Sequence, residues 1–464
     1  MASPSTSATT TAATTVATPA AATVASPFYE DDGEIVLKVS HDFMKFPLGF
    51  VVDAGGSVTK VVYRSKKDYK AGQLIKPSEH GLLRLRYFKM SDIFQIIDFL
   101  KDHCDVISTG KGSGYEQATW HMTGVTAQHF KAKLEEEFEI KTSLCSEMMA
   151  LQNSLKLMPE LQLGFYGMNM ESHLFAAKRV RAIAQAVSKF VELGDTTLEN
   201  YDVSRILDGN GVSEDLEKLV ISQSGPPEME GAIFELMISS DDAKWAEKYL
   251  GSLTNELVVP SILTLFGSAA VTLLVSKDYK LKGVDFTSVA GKTLTGLSEE
   301  LCGEKDFEKF MEMASRGDLN KVTTLVGDLK NEKHTEDDWY SWFPEEYPAF
   351  ELGKLSSVNV KGKGTYSKED LAAGILNVQV ASIAKTALHN CLIHKVDHAY
   401  FAGSLMKYEV ARKMISKHFL SDCFMLAMEG GPILKPFFIR QPGFLVAVGV
   451  WAANVEVTKN LEKK

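Results

Sequence analysis

The sequence predicts an α/β fold built from two similar halves, and three observations carry that expectation. LGFVVDAGGSVTKVVY (Leu48–Tyr63) and SILTLFGSAAVTLLVSKDY (Ser261–Tyr279) share one plan: an apolar β-branched run, a turn of small residues, and a second apolar run. Stretches of helical periodicity follow each of them, as at Ile93, Phe94, Ile96, Ile97 and Leu100. The chain has 464 residues, 45% of them hydrophobic, which is enough for two or three domains with their own cores.

Residues 1–27 are almost entirely Ala, Ser, Thr, Pro and Val without a charged side chain, and read as a disordered tail. Residues 28–160 form the first α/β half. After its hairpin come a strand over Leu82–Met90, a helix in SDIFQIIDFLKDH, a strand leading into Thr123-Gly124, and an amphipathic helix in AQHFKAKLEEEFEI. SEMMALQNSLKLM opens a further helix with Ser146 as its N-cap. Residues 161–255 break the pattern and read as a helical insert packed on the first half, with helices near Glu171–Leu193 and Asp241–Leu250.

Residues 256–464 form the second half. Leu257–Val275 is 19 uncharged residues long, close to a bilayer span, but Pro260 and Gly267-Ser268 divide it into two buried strands joined at a turn. A helix follows over Asp306–Arg316, then a Trp-containing polar loop around Asp337–Phe343. Ser367 and Asp370 form a capping-box signature before the long helix in LAAGILNVQVASIAKTAL. VDHAYFAGSLMK reads as a strand ending at Gly403-Ser404, and FLVAVGVWAA as a segment whose small residues pack closely. Two phosphate-type hairpins opening two α/β halves are the plan of the actin-like and sugar-kinase (ribonuclease H-like) superfold, with a nucleotide cleft between the halves.

The turn at Asp53, Gly55, Gly56 and Ser57 has two readings: a tight hairpin turn, or a phosphate turn whose glycines permit positive φ and bring N–H groups to an anion. In the second reading Asp53 holds a divalent metal that neutralises the phosphate oxygens. Lys60 is either a hairpin-edge charge or a phosphate ligand. Gly291-Lys292-Thr293 is not a P-loop, because Phe286 stands where that motif needs glycine and a strand-loop-helix unit is not expected there.

A formal net charge of −10 disfavours nucleic acid or an anionic membrane as partner. Five scattered cysteines indicate neither a disulfide framework nor a zinc site. The N-terminal stretch has neither the basic n-region of a secretory signal nor the arginines of a mitochondrial leader, so a cytoplasmic protein is expected.

Several blocks together resemble eukaryotic-type (type II) pantothenate kinases: FVVDAGGSVTKVVY, HMTGVTAQHF, FEKFMEMASRGD, SKEDLAAGILNVQVASIAKTAL and HAYFAGSLMK, in that order from about Leu48 to Ala453. The resemblance implies ATP-dependent phosphorylation of pantothenate with Mg²⁺, the first step toward coenzyme A. It also implies a homodimer, or a heterodimer with a paralogue, and acyl-coenzyme A as a feedback regulator. Glu147 matches the family's general base and Ser288 a substrate-contacting position. Asp53, Gly55, Gly56, Ser57 and Lys60 match the first phosphate loop, while Gly267, Ser268, Gly291, Thr293 and Gly403 match the second half's nucleotide-facing turns. Departures are concentrated at glycines: Ala269, Ala290, Lys292, Val125 and Thr126 stand where the family has glycine. They raise a second reading, a catalytically impaired paralogue that binds ligand or regulates an active kinase.

Overall fold

In a computed structural model, the residues described are 28–31, 34–56, 58–68, 81–89, 93–106, 114–161, 165–167, 252–254, 257–330, 348–356, 365–428, 432, 434–439 and 441–463. Ser57, the expected helices of the insert and the loop around Asp337–Phe343 lie outside them.

The first half runs β1 (Phe28–Asp31), β2 (Glu34–Val39), β3 (Phe50–Ala54), β4 (Val58–Tyr63), β5 (Gly81–Lys89), α1 (Ile93–His103), β6 (Thr119–Met122), α2 (Ala127–Phe138), β7 (Lys141–Leu144) and α3 (Glu147–Leu161). β3, β4 and β5 form an antiparallel meander in the order β5-β4-β3, with β2 and β1 added at its outer edge. β6 and β7 pair in parallel, and β6 joins β3 at an Asp53–Thr123 bridge, where Ala54 N–H donates to Thr123 O at 2.8 Å. The spatial order is therefore β5-β4-β3-β6-β7.

β8 (Phe165–Gly167) and β9 (Ser252–Thr254), the two described ends of the insert, pair on the second half's sheet. That half continues with β10 (Ser261–Phe266), β11 (Ala270–Val275), β12 (Leu281–Thr287), α4 (Gly291–Leu297), α5 (Phe307–Arg316), β13 (Thr324–Leu325), β14 (Pro348–Phe350), α6 (Lys368–His394), β15 (His398–Ala402), α7 (Glu409–Met428), β16 (Lys435–Ile439) and α8 (Leu445–Glu462). Its sheet runs β12-β11-β10-β15-β16-β8-β9, with β10, β15 and β16 parallel. Three antiparallel strands, then two parallel to the first, thus occur in both halves in the same order. The expected duplicated ribonuclease H-like superfold is what the chain adopts.

Local chemistry explains the elements. The Ser367 capping box is formed: Ser367 Oγ accepts the Asp370 N–H at 3.1 Å and Asp370 Oδ2 accepts the Ser367 N–H at 2.8 Å. Asp306 caps α5 by accepting the Glu308 N–H at 2.9 Å. α6 is, among the described residues, the helix long and apolar enough to cross a bilayer, but most of it is buried inside the protein, where a core helix passes the same test. Leu257–Val275 supplies β10 and β11, as expected, and the five cysteines are free thiols.

α8 leaves the second half and packs into the first. A Cβ on Gly449 would stand 1.7 Å from Ala150 O of α3, so only glycine lets these helices approach so closely. Trp451 Nε1 donates to Phe43 O at 2.7 Å. Asn454 is fully buried, accepts the His121 N–H at 2.7 Å and donates to His121 O at 3.0 Å, satisfying both backbone groups of that β6 residue.

Candidate functional site

The first hairpin places Asp53 at the inner end of β3, 3% exposed, directly across from Lys60 on β4. Lys60 Nζ lies 2.9 Å from Asp53 Oδ2, so the buried carboxylate has a cation beside it. Glu147 opens α3, where Ser146 Oγ accepts the Met148 N–H at 3.2 Å, the expected cap. Glu147 is exposed at the surface, yet the surrounding protein desolvates its carboxyl and raises its pKa. The Asp53 charge raises it further, while Lys60 opposes both. The three residues share one electrostatic environment.

Gly55 and Gly56 do not have positive φ, so the conformational reason for them is replaced by one of space: a Cβ on Gly55 would meet Val58 O at 2.7 Å. Gly124 does require positive φ, at +107°, and a Cβ there would stand 2.2 Å from Ala54 O. Gly403, φ +101°, repeats this in the second half, with a Cβ 2.1 Å from Phe266 O. Each glycine ends the fourth strand of its half and lets the chain cross the tip of the hairpin strand.

Val125 and Thr126, standing for family glycines, are unstrained, because positive φ falls on Gly124 alone. Thr126 does something the sequence did not suggest. Its Oγ1 donates toward Ala54 O at 2.9 Å and Gly55 O at 3.2 Å, fastening the first turn to the start of α2. A β-branched hydroxyl just before a helix was the available signal.

The second turn is held differently. Gly267 N–H donates to Ala269 O at 2.9 Å, and the Gly267 and Ser268 carbonyls accept the N–H groups of Gly291 and Lys292 at 3.0 and 3.2 Å. A Cβ on Gly291 would lie 2.5 Å from Gly267 O, so this position needs glycine for contact. Ala290 beside it is fully buried with Phe266, Ala270 and Leu294. Contrary to expectation, a strand-loop-helix unit is present here: β12, residues 288–290, then α4. Its first helical amides face backbone carbonyls of the hairpin, which is why it still does not form a phosphate cradle. Ser288 is exposed on the loop, and Thr293 Oγ1 donates to its carbonyl at 3.2 Å.

The two turns meet. A methyl group placed on Gly56 would stand 3.5 Å from Val125 Cγ2 and 3.7 Å from Ser268 Oγ. Asp53, Gly55, Gly56, Lys60 and Glu147 are thus gathered on one side, and Gly267, Ser268, Gly291 and Thr293 on the other, with Gly403 behind the second turn. Among the described residues, His, Cys, Asp and Glu side chains do not cluster in threes. Asp53 offers one buried carboxylate at the first turn, a donor of the kind Mg²⁺ takes when water and phosphate fill its other positions.

The family model described as Fumble matches residues 228–453. That span is just under half of the chain, and over it the chain resembles the Fumble family. The matching segment holds the second hairpin, α4 to α7 and Gly403, whereas Asp53, Lys60 and Glu147 lie ahead of it. Pantothenate kinase 1 of Arabidopsis thaliana is 24% identical over 212 residues, 43% of this chain and 50% of that protein. The 4'-phosphopantetheine phosphatase of Mus musculus is 25% identical over 200 residues, 43% of this chain and 23% of that protein. The chain thus spans half or less of these relatives' length. Among solved structures, the activator of the 2-hydroxyisocaproyl-CoA dehydratase from Clostridium difficile with bound ADPNP aligns over 89% of this chain and 97% of its own, at 9% identity and a TM-score of 0.38. The expected kinship with eukaryotic-type pantothenate kinases is borne out by the Fumble-family segment and these relatives together.

Proposed function

We propose that the chain transfers the γ-phosphoryl group of ATP to pantothenate, giving 4'-phosphopantothenate, the first step of coenzyme A biosynthesis. The observation that carries this reading is the shared electrostatics of Asp53, Lys60 and Glu147 beside the first phosphate turn. Phosphoryl transfer asks little covalent chemistry of a protein and depends on positioning and charge.

In this reading the acceptor hydroxyl gives its proton to a Glu147 carboxylate oxygen as its own oxygen attacks the γ-phosphorus. The bond to the bridging oxygen breaks and ADP leaves. A raised carboxyl pKa makes Glu147 a stronger base than an ordinary glutamate. Lys60 compensates Asp53 before nucleotide arrives and, in this reading, turns toward phosphate afterwards. Mg²⁺ held by Asp53 would supply charge neutralisation on the phosphate oxygens. Ser288 contacts the acceptor, and Gly267, Ser268 and Gly403 border the nucleotide on the other side.

The tie between the second turn and α4 favours a second reading, a catalytically impaired paralogue that regulates an active kinase. An ATP-consumption assay with pantothenate, run beside Glu147→Ala, separates them. Turnover lost in the variant supports the kinase; ATP binding without turnover supports the paralogue.

A further inference from the structure

Val125 stands between the two hairpin turns, and its place is set from both sides. On one side Gly124 lies so close to β3 that even a Cβ there would be 2.2 Å from Ala54 O. On the other, the Thr126 N–H donates to Ala54 O at 3.0 Å while its hydroxyl bridges the Ala54 and Gly55 carbonyls. The backbone of Val125 is therefore anchored at both neighbours, and its β-branched side chain is stiff at χ1. That side chain is 76% exposed and belongs to no core. Its Cγ2 lies 3.5 Å from a methyl position on Gly56, the same point that is 3.7 Å from Ser268 Oγ.

We propose that Val125 is a steric gate that sets the nucleotide affinity of the cleft, through the space it occupies where the first turn, the second turn and the loop after β6 converge. This deepens the kinase reading, since it rests on the cleft binding a nucleoside polyphosphate. A phosphate chain entering between Gly56 and Ser268 meets the Val125 Cγ2 methyl, which offers it neither hydrogen bond nor charge and displaces water that would solvate it. The backbone at Val125 cannot shift aside without breaking the Thr126 bonds to the first turn. The gate therefore weakens binding without altering Asp53, Lys60 or Glu147.

The test is calorimetric titration of the full chain with ADP and Mg²⁺, for the parent, Val125→Ala and Val125→Ile. Val125→Ala trims the methyl groups without the backbone freedom of glycine, and exposure makes both variants safe for folding, which thermal melting checks. The gate predicts binding tightened about five- to tenfold in Val125→Ala and weakened in Val125→Ile. Equal affinity in all three, with unchanged melting, overturns the gate and leaves the nucleotide cleft standing. Absence of ADP binding in all three overturns the nucleotide reading together with the gate.

Discussion

Lys60 Nζ and Asp53 Oδ2 lie 2.9 Å apart across the first hairpin, at opposed positions of β3 and β4. Lys60→Met leaves the Asp53 carboxylate buried without its cation, and is expected to cost about 3 kcal/mol in urea unfolding. The same change removes the charge that holds the Glu147 pKa down, so the acid limb of any pH–rate profile should move to higher pH.

Glu147 gives a second prediction, with its sign set by linkage. Desolvation by the surrounding protein first, and Asp53 second, raise its folded pKa above the ordinary 4.5, so the native state binds its proton more tightly than the unfolded chain. The stabilisation from the protonated form is full below about 4.5 and is lost as pH rises through the raised value. Glu147→Gln, which has no such proton to lose, should gain stability relative to the parent across that window and hold the gain above it. Chemical denaturation at a series of pH values measures this; a parent that becomes more stable than the variant as pH rises would contradict it.

Gly124 and Gly403 are structural counterparts, and substitution should reveal it. Gly124→Ala and Gly403→Ala each force a Cβ against a carbonyl at positive φ. Each is expected to destabilise by about 2 kcal/mol or more, by similar amounts. Thermal unfolding of the two variants checks the pseudo-symmetry directly.

Restoring glycine at the drifted second turn is expected to bring little. Ala290 is buried in the second core, so Ala290→Gly should cost about 1 kcal/mol, and Ala269→Gly leaves the amide-to-carbonyl tie to α4 in place. Turnover of the double variant should stay flat, as steady-state assays would show.

Much of this fold was legible in the sequence because its signals are local. The hairpins carry β-branched runs around small residues, and the Ser367 box sits one turn from the residue it pairs with. What escaped depends on partners far along the chain. Gly449 meets Ala150, and Asn454 satisfies His121, across about 300 residues; FLVAVGVWAA shows only that it is apolar, not which half it enters. β12 was missed as a strand before α4 because its edge position leaves it largely exposed and without an alternating apolar face. The replacements at Val125 and Thr126 would be costly only if their backbone needed positive φ, which a local sequence does not reveal; in the fold Gly124 alone of that turn adopts it. Glu147 was found by resemblance, and its physical distinction, a carboxyl sensing both Asp53 and Lys60, exists only once β3, β4 and α3 are brought together.

The most direct measurement is mass-spectrometric detection of phosphorylated pantothenate after incubation of the full chain with ATP, Mg²⁺ and pantothenate, with Glu147→Gln in parallel. The account predicts product from the parent and a loss of at least about a hundredfold in the variant. Product formed equally by both would contradict the role of Glu147, and binding of ADP without product from either would contradict the kinase itself.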